Sequence, residues 1–314
     1  VIPRLDRDQL AAAASALARE NVFIGTSSWK YPGWIGSVYD EQRYLWRGKL
    51  AQSRFDAHCL EEYATVFKSV GVDAGYYRFP DDRFLRRLAS QVPDDFRFSF
   101  KVTEEITIRR FPNLDRHGSR AGQDNPDFLN ADLFVNAFLA PCAEIRAKIG
   151  VLLFEFSRFH PGQFSRGAEF VERLDHFFES IPKEGWQYGV EIRNPSLLHP
   201  MYFETLRKHG VAHVFNNWER MPSVEAQRHL SGSTTADFFA ARFLLKPGRR
   251  YADAVASFAP YQRVVEANQE ARESGADLLR NGPRARRSFL YVNNRLEGNA
   301  PATLAAMLHL AGRL

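Results

Sequence analysis

Val22-Phe-Ile-Gly-Thr-Ser-Ser-Trp-Lys-Tyr-Pro-Gly-Trp34 is the stretch whose reading decides the fold. It opens as an apolar run, Val22-Phe-Ile24, and passes through Gly25 into Ser27, Ser28, Trp29, Lys30, Tyr31 and Trp34. Pro32-Gly33 then ends any extended structure. A buried strand that delivers polar and aromatic groups at its C-terminal end is how an α/β enzyme begins a site. The chain repeats that theme. Runs at Val22–Ser27, Ser69–Tyr76, Phe96–Thr103, Val151–Phe156, Tyr188–Arg193, Val211–Phe215, Phe238–Leu245 and Ser288–Val292 read as eight strands. Several are apolar almost throughout, such as Val151-Leu-Leu-Phe154, which is how strands covered on both faces read.

Helical patterns fall between them, at Ala57–Phe67, from Asp81 or Asp82 to Ala89, and at Ala131–Ile149, Phe164–Ser180, Tyr202–His209, Ala259–Arg272 and Pro301–Leu314. Alternation of strand and helix with a count of eight predicts a single α/β domain, a closed (β/α)8 TIM barrel over residues 22–314. Residues 6–20 predict an extra helix that Asp6 or Asp8 caps, with Leu10, Ala14 and Leu17 on one face. Residues 1–21 therefore read as an N-terminal helical extension that covers one end of the barrel. The polar stretch Arg109–Phe128 is a long loop, and loops of that length in compact domains are usually functional.

Composition narrows the class. Of 314 residues, 45% are hydrophobic and 26 are Phe, enough for a large core. A net charge of +5 favours anionic partners, either a small anionic molecule or nucleic acid. Cys59 and Cys142 have no CxxC partner and suit a reducing, cytoplasmic location. No apolar run of about 18 residues predicts a membrane span. GxSxG, Walker and GxGxxG motifs are absent, and so is HExxH. Nothing in the sequence bears on oligomeric state.

Alternate residues of a barrel strand point inward. That places Lys101 on the third strand, Glu155 on the fourth, Glu191 and Arg193 on the fifth, and Arg242 on the seventh inside the mouth. Asp73, Gly75 and Tyr77 share one face if the second strand runs to Tyr76 and beyond. Three acids and three bases at strand ends have two readings. One is an ion-pair network that closes the barrel. The other is a ligand site in which Arg193 and Arg242 clamp an anion while Glu191, Lys101 and Glu155 do the chemistry. Trp29, Tyr31, Trp34 and Tyr77 read as an aromatic wall, or else as plain core. Asp73, Glu155 and Glu191 would be the carboxylates for Mg²⁺ or Mn²⁺, but the neighbouring cations oppose a metal, and no cofactor is predicted. Arg109, Arg110, Arg116, His117 and Arg120 read as a basic lid over the mouth. The run Arg280, Arg284, Arg286, Arg287 precedes the last strand and belongs to the opposite face.

Gly25-Thr-Ser-Ser-Trp29 with Tyr31-Pro-Gly-Trp34 resembles the opening signature of the YecE-like family, catalogued as domain of unknown function 72. The resemblance continues through Tyr77-Arg-Phe-Pro80, Lys101, Leu152–Phe156, Glu191-Ile-Arg-Asn-Pro-Ser196 and Asn293-Asn294. It implies a TIM barrel without an established activity. It also implies a shared pocket of Trp29, Tyr31, Tyr77, Lys101, Glu191, Arg193, Arg242, Asn293 and Asn294. Where the family commonly has a Glu and then an Asn on the second strand, this chain has Gly71 and Asp73. Glu155 stands where the family commonly has Gln, and Phe243-Leu-Leu245 follows Arg242 in place of His-Gly. The expectation is an enzyme on a phosphorylated or acidic sugar-like substrate, a hydrolase or an isomerase/lyase by fold analogy, with Asn293 and Asn294 on its hydroxyls. The alternatives are a nucleic-acid-binding or processing protein and a non-catalytic ligand-binding or interaction protein.

Overall fold

A computed structural model describes residues 6–314. Its eight barrel strands are β1 (Val22–Thr26), β2 (Ser69–Val72), β3 (Arg97–Phe100), β4 (Val151–Phe156), β5 (Gln187–Ile192), β6 (Ala212–Asn217), β7 (Ala240–Phe243) and β8 (Ser288–Val292). They are parallel and lie in the order β3-β2-β1-β8-β7-β6-β5-β4. The two ends of that order meet. Gly150 N–H donates to the Phe98 carbonyl at 2.7 Å and Val102 N–H to the Leu153 carbonyl at 2.9 Å. The sheet therefore comes round on itself as a TIM barrel, as the alternation predicts.

Two cores result. Inside the barrel, Phe23, Val151, Leu153, Ala212, Val214, Ala240 and Phe289 pack together below Tyr291. The Tyr291 hydroxyl donates to Ser99 Oγ at 2.6 Å and lies 2.5 Å from Ser69 Oγ, a polar rung halfway up. Outside, the helices cover the sheet through an aromatic layer, with Phe134, Phe154, Phe177, Phe178 and Tyr188 ring to ring. This second core is where much of the abundant Phe is used.

Helix α1 (Arg7–Arg19) forms where expected. Asp6 caps it by accepting from the Asp8 and Gln9 amides at 3.0 Å, and Leu10, Ala14 and Leu17 are buried. It packs beside β1 and α2 (Gln52–Val66), with Ala18 against the inner core. Three further elements depart from expectation. The second strand stops at Val72, and Ala74–Tyr77 is a helical turn. Thr103 Oγ1 holds that turn by donating to the Gly75 carbonyl at 2.7 Å, a tertiary contact no local pattern reports. The helix expected over 131–149 is a chain of α, π and 3-10 turns, because Pro141 has no N–H to continue the ladder. The helix expected over 259–272 is instead two, Tyr251–Phe258 and Gln269–Asn281, on either side of an irregular stretch at Pro260. Asn268 starts the second by accepting from the Ala271 amide at 3.1 Å.

One buried base lies outside the barrel. His213 is 1% exposed, 3.1 Å from the Tyr202 hydroxyl and 3.3 Å from Gln227 Oε1. Burial pushes its pKa down to about 4, against a small opposing pull from Gln227. The unfolded chain takes up that proton near 6.5, so the stability His213 provides is complete above pH 6.5 and is lost as pH falls towards 4. We expect a loss of roughly 3 kcal/mol across that window. Urea melts at pH 7.5 and pH 5 should show a smaller acid loss in His213→Leu than in the parent. Equal loss in both would contradict the assignment.

Candidate functional site

β1 delivers the opening stretch to the C-terminal face of the barrel. Tyr63 fixes its exit. The Thr26 amide donates to the Tyr63 hydroxyl at 2.9 Å, which donates on to the Ser69 carbonyl at 3.0 Å. Thr26 Oγ1 donates to the Ser28 carbonyl at 2.7 Å, and Pro32–Trp34 turns as 3-10 helix. Trp34 is fully buried and Trp29 is 8% exposed, so both belong to the outer core. Tyr31 is half-buried, with its ring against Trp34 at 4.8 Å and Tyr261 at 5.5 Å. Its hydroxyl is pushed up to about 12, chiefly by burial, with Arg295 opposing. Trp29, Lys30, Tyr31 and Asp73 line a groove of about 890 Å³ that runs towards α2.

The charged side chains expected at the mouth do converge. Glu191 is completely buried and lies between two arginines. Arg242 Nη1 donates to Glu191 Oε2 at 2.7 Å, and Arg193 Nη2 is in close contact with Glu191 Oε1. Glu155 Oε2 gathers three cations: Lys101 Nζ at 2.9 Å, Arg193 Nη2 at 3.2 Å and Arg242 Nη1 at 3.2 Å. Asp73 sits at the open edge, 3.7 Å from Arg242 and 4.0 Å from Lys101. Register explains the meeting. Glu155 pairs with Glu191 and Asn216 with Arg242, so these side chains share the inward face at one height.

The electrostatics sort the group. Burial alone would raise the pKa of Glu155, but Lys101, Arg193 and Arg242 override it and hold the carboxyl well below its usual range. Glu155 is therefore a fixed negative charge rather than a proton donor near neutral pH. Burial likewise works against the charge on Arg242, and Glu191, Asp73 and Glu155 more than offset it. The two arginines differ in what remains free. Arg242 is turned to its three carboxylates. Arg193 is 5% exposed, and its Nε and Nη1 are buried without a partner among the described residues. Its guanidinium lies 4.0 Å from the centre of the Trp218 ring.

Other expected site residues stand apart. Tyr77 rides the helical turn outward and is 63% exposed, with Arg116 over its ring at 5.4 Å. Its neighbour Tyr76 takes the inner place, with Lys101 Nζ 3.9 Å from its ring centre. Asn293 Oδ1 accepts from the Arg295 amide at 3.0 Å, and Asn294 Oδ1 from the Ala300 amide at 2.8 Å. Both side chains thus shape the turn after β8. The lid cations are largely spent within their own loop. Arg116 pairs with Glu104, Arg120 with Glu105, and Arg109 and Arg110 share Asp124. At the other end, Arg284 bonds the Leu279, Arg280 and Gly282 carbonyls, and Arg286 bonds that of Trp186.

The site also contains residues that the sequence reading passed over, Tyr76, Asn216 and Trp218. Asn216-Asn-Trp218 repeats at the end of β6 the Asn-Asn pair that follows β8, and that echo was the available signal. Among the described residues, no three His, Cys, Asp or Glu side chains are grouped to hold a metal ion. No helix among them is long and apolar enough to cross a membrane.

The profile of a family described as "Protein of unknown function DUF72" matches residues 23–314. The chain belongs to that family. It is 28% identical over 174 residues to UPF0759 protein YecE of Escherichia coli K12, and the match takes in 55% of this chain. The chain spans about half the length of the curated relatives it matches, 49% of that protein. Two solved DUF72 structures share the fold. One, from Enterococcus faecalis V583, has a TM-score of 0.60 at 19% identity, covering 93% of this chain and 95% of its own. The other, from Thermotoga maritima, has a TM-score of 0.59 at 20% identity, covering 93% and 98%. At such identities the likeness is one of fold. Within this DUF72 member, a Cβ at Gly71 would lie 3.3 Å from Ser27 Cα, a tight approach that the backbone after β1 would have to relax by a few tenths of an ångström.

Proposed function

We propose that this barrel is an enzyme that holds a small anionic, sugar-like substrate at its mouth through Arg193. One observation carries the reading. A guanidinium that is 5% exposed keeps two N–H-bearing nitrogens without a partner while it is stacked on Trp218. Buried donors are normally paired, and donors left over in this way suit the oxygens of a phosphate or carboxylate. Glu191 orients Arg193, and Arg242 locks Glu191 in turn. Lys101 faces the same space and supplies positive charge where negative charge develops. Glu155 keeps Lys101 and both arginines in register. The groove beside Trp29 and Tyr31 offers an approach that ends at Asp73.

The test is a thermal-shift screen with phosphorylated and acidic sugars, followed by titration of any hit. Binding raises the melting temperature by mass action. Arg193→Lys keeps a charge but loses the planar fork, so we expect affinity to fall at least about tenfold. Affinity untouched in that variant would remove Arg193 from the site. Binding without turnover would favour the ligand-binding alternative. A shift only with oligonucleotides, steeply weakened by salt, would favour the nucleic-acid one.

A further inference from the structure

We infer that the cleft between the loops after β3 and β4 is a second site, which takes a nucleoside monophosphate. The cleft has a volume of about 460 Å³, within the range of small-molecule sites. It shares no lining residue with the charged cluster at the mouth, so the inference stands apart from the function proposed above. Every ionisable side chain that lines it is basic: Arg109, Arg110, Arg158 and His160. Arg109 and Arg110 share one carboxylate, Asp124, at 3.2 and 2.6 Å. Arg158 is exposed and forms no ion pair among the described residues. The cleft therefore carries uncompensated positive charge.

Two polar atoms point to what neutralises it. Thr107 is 1% exposed and its Oγ1 has no hydrogen-bond partner, and Arg109 Nε is buried and equally without one. A hydroxyl and a guanidinium N–H, both already desolvated, are donors for phosphate oxygens, and Arg158 can close over the third. Inorganic phosphate alone would leave most of the volume empty. Ile108, Phe111, Pro112 and Phe159 supply an apolar floor suited to a flat base, and Asn113, Ser157 and Gln163 supply amide and hydroxyl groups for its edge. Phosphate at one end and a planar apolar body at the other describe a nucleoside monophosphate.

Calorimetric titration of the full chain with AMP tests the site. We expect one-to-one binding that Arg158→Gln and Thr107→Val each weaken at least about tenfold, in line with lost hydrogen bonds to a charged group. Inorganic phosphate should compete, and adenosine should bind far more weakly than AMP. Arg158 is exposed, so its variant folds as the parent does. Thr107→Val removes a buried unpartnered hydroxyl, so its melting temperature without ligand should hold or rise while AMP affinity falls. No AMP binding at millimolar concentration, equal binding by both variants, or adenosine binding as tightly as AMP would each overturn the inference.

Discussion

Arg242→Met is expected to destabilise the folded chain by about 3–5 kcal/mol, because it removes the cation hydrogen-bonded to Glu191, a carboxylate that has no route to water. Arg242 is the cation that reaches all three acids of the mouth, and Glu191 beside it is completely buried. Three acids and three bases balance in the parent; the variant leaves three against two. The melting temperature should fall by roughly 10 °C. Arg242→Met combined with Glu191→Leu restores two against two and should recover part of the loss, since a balanced apolar replacement can match a buried ion pair. Chemical denaturation of the two single variants and the double supplies the cycle. A double variant as unstable as the sum of the singles would mean that Arg242 and Glu191 do not act as a pair.

Gly25→Ala should be nearly as damaging. A Cβ at position 25 would lie 2.7 Å from the Ser69 carbonyl carbon, nearer still to its oxygen, and 3.0 Å from the Tyr63 hydroxyl. The obstacle is the backbone of the neighbouring strand, which no rotamer change can move aside. Gly25 pairs in register with Ser69 and with Tyr291, so a shift there disturbs both neighbours of β1. The expected cost is about 3 kcal/mol, the upper part of the overpacking range. The melting temperature and the exchange rates of the Thr26 and Val70 amides would report it. An unchanged melting temperature would show that β1 and β2 can separate at no cost.

How far the sequence reached depends on the range of each interaction. Strand positions followed from local pattern, because a strand covered on both faces must be apolar along its length. β4 and β8 were legible to the residue for that reason, and α1 to within one residue at each end, because its cap and apolar face lie within one short window. The inward parity of Lys101, Glu155, Glu191, Arg193 and Arg242 was also local, since side chains alternate along a strand. Ala74–Tyr77 was not. That turn is held by Thr103 from beyond the end of β3, and it sends Tyr77 outward and Tyr76 in.

The sequence by itself therefore determined the number and order of the strands, the closed barrel they make, and which charges face its interior. Only the tertiary structure decided what those charges do. Glu155 became a fixed anion and Arg242 a lock because the ends of four strands, β3, β4, β5 and β7, bring Lys101, Glu155, Glu191 and Arg242 within 3.2 Å of their partners. Arg193 kept two unpartnered donors, because the carboxylates that reach it, Glu155 and Glu191, both meet it at Nη2. Alternation along a strand is a property of neighbouring residues. Charge compensation is a property of residues that meet only once the barrel has closed.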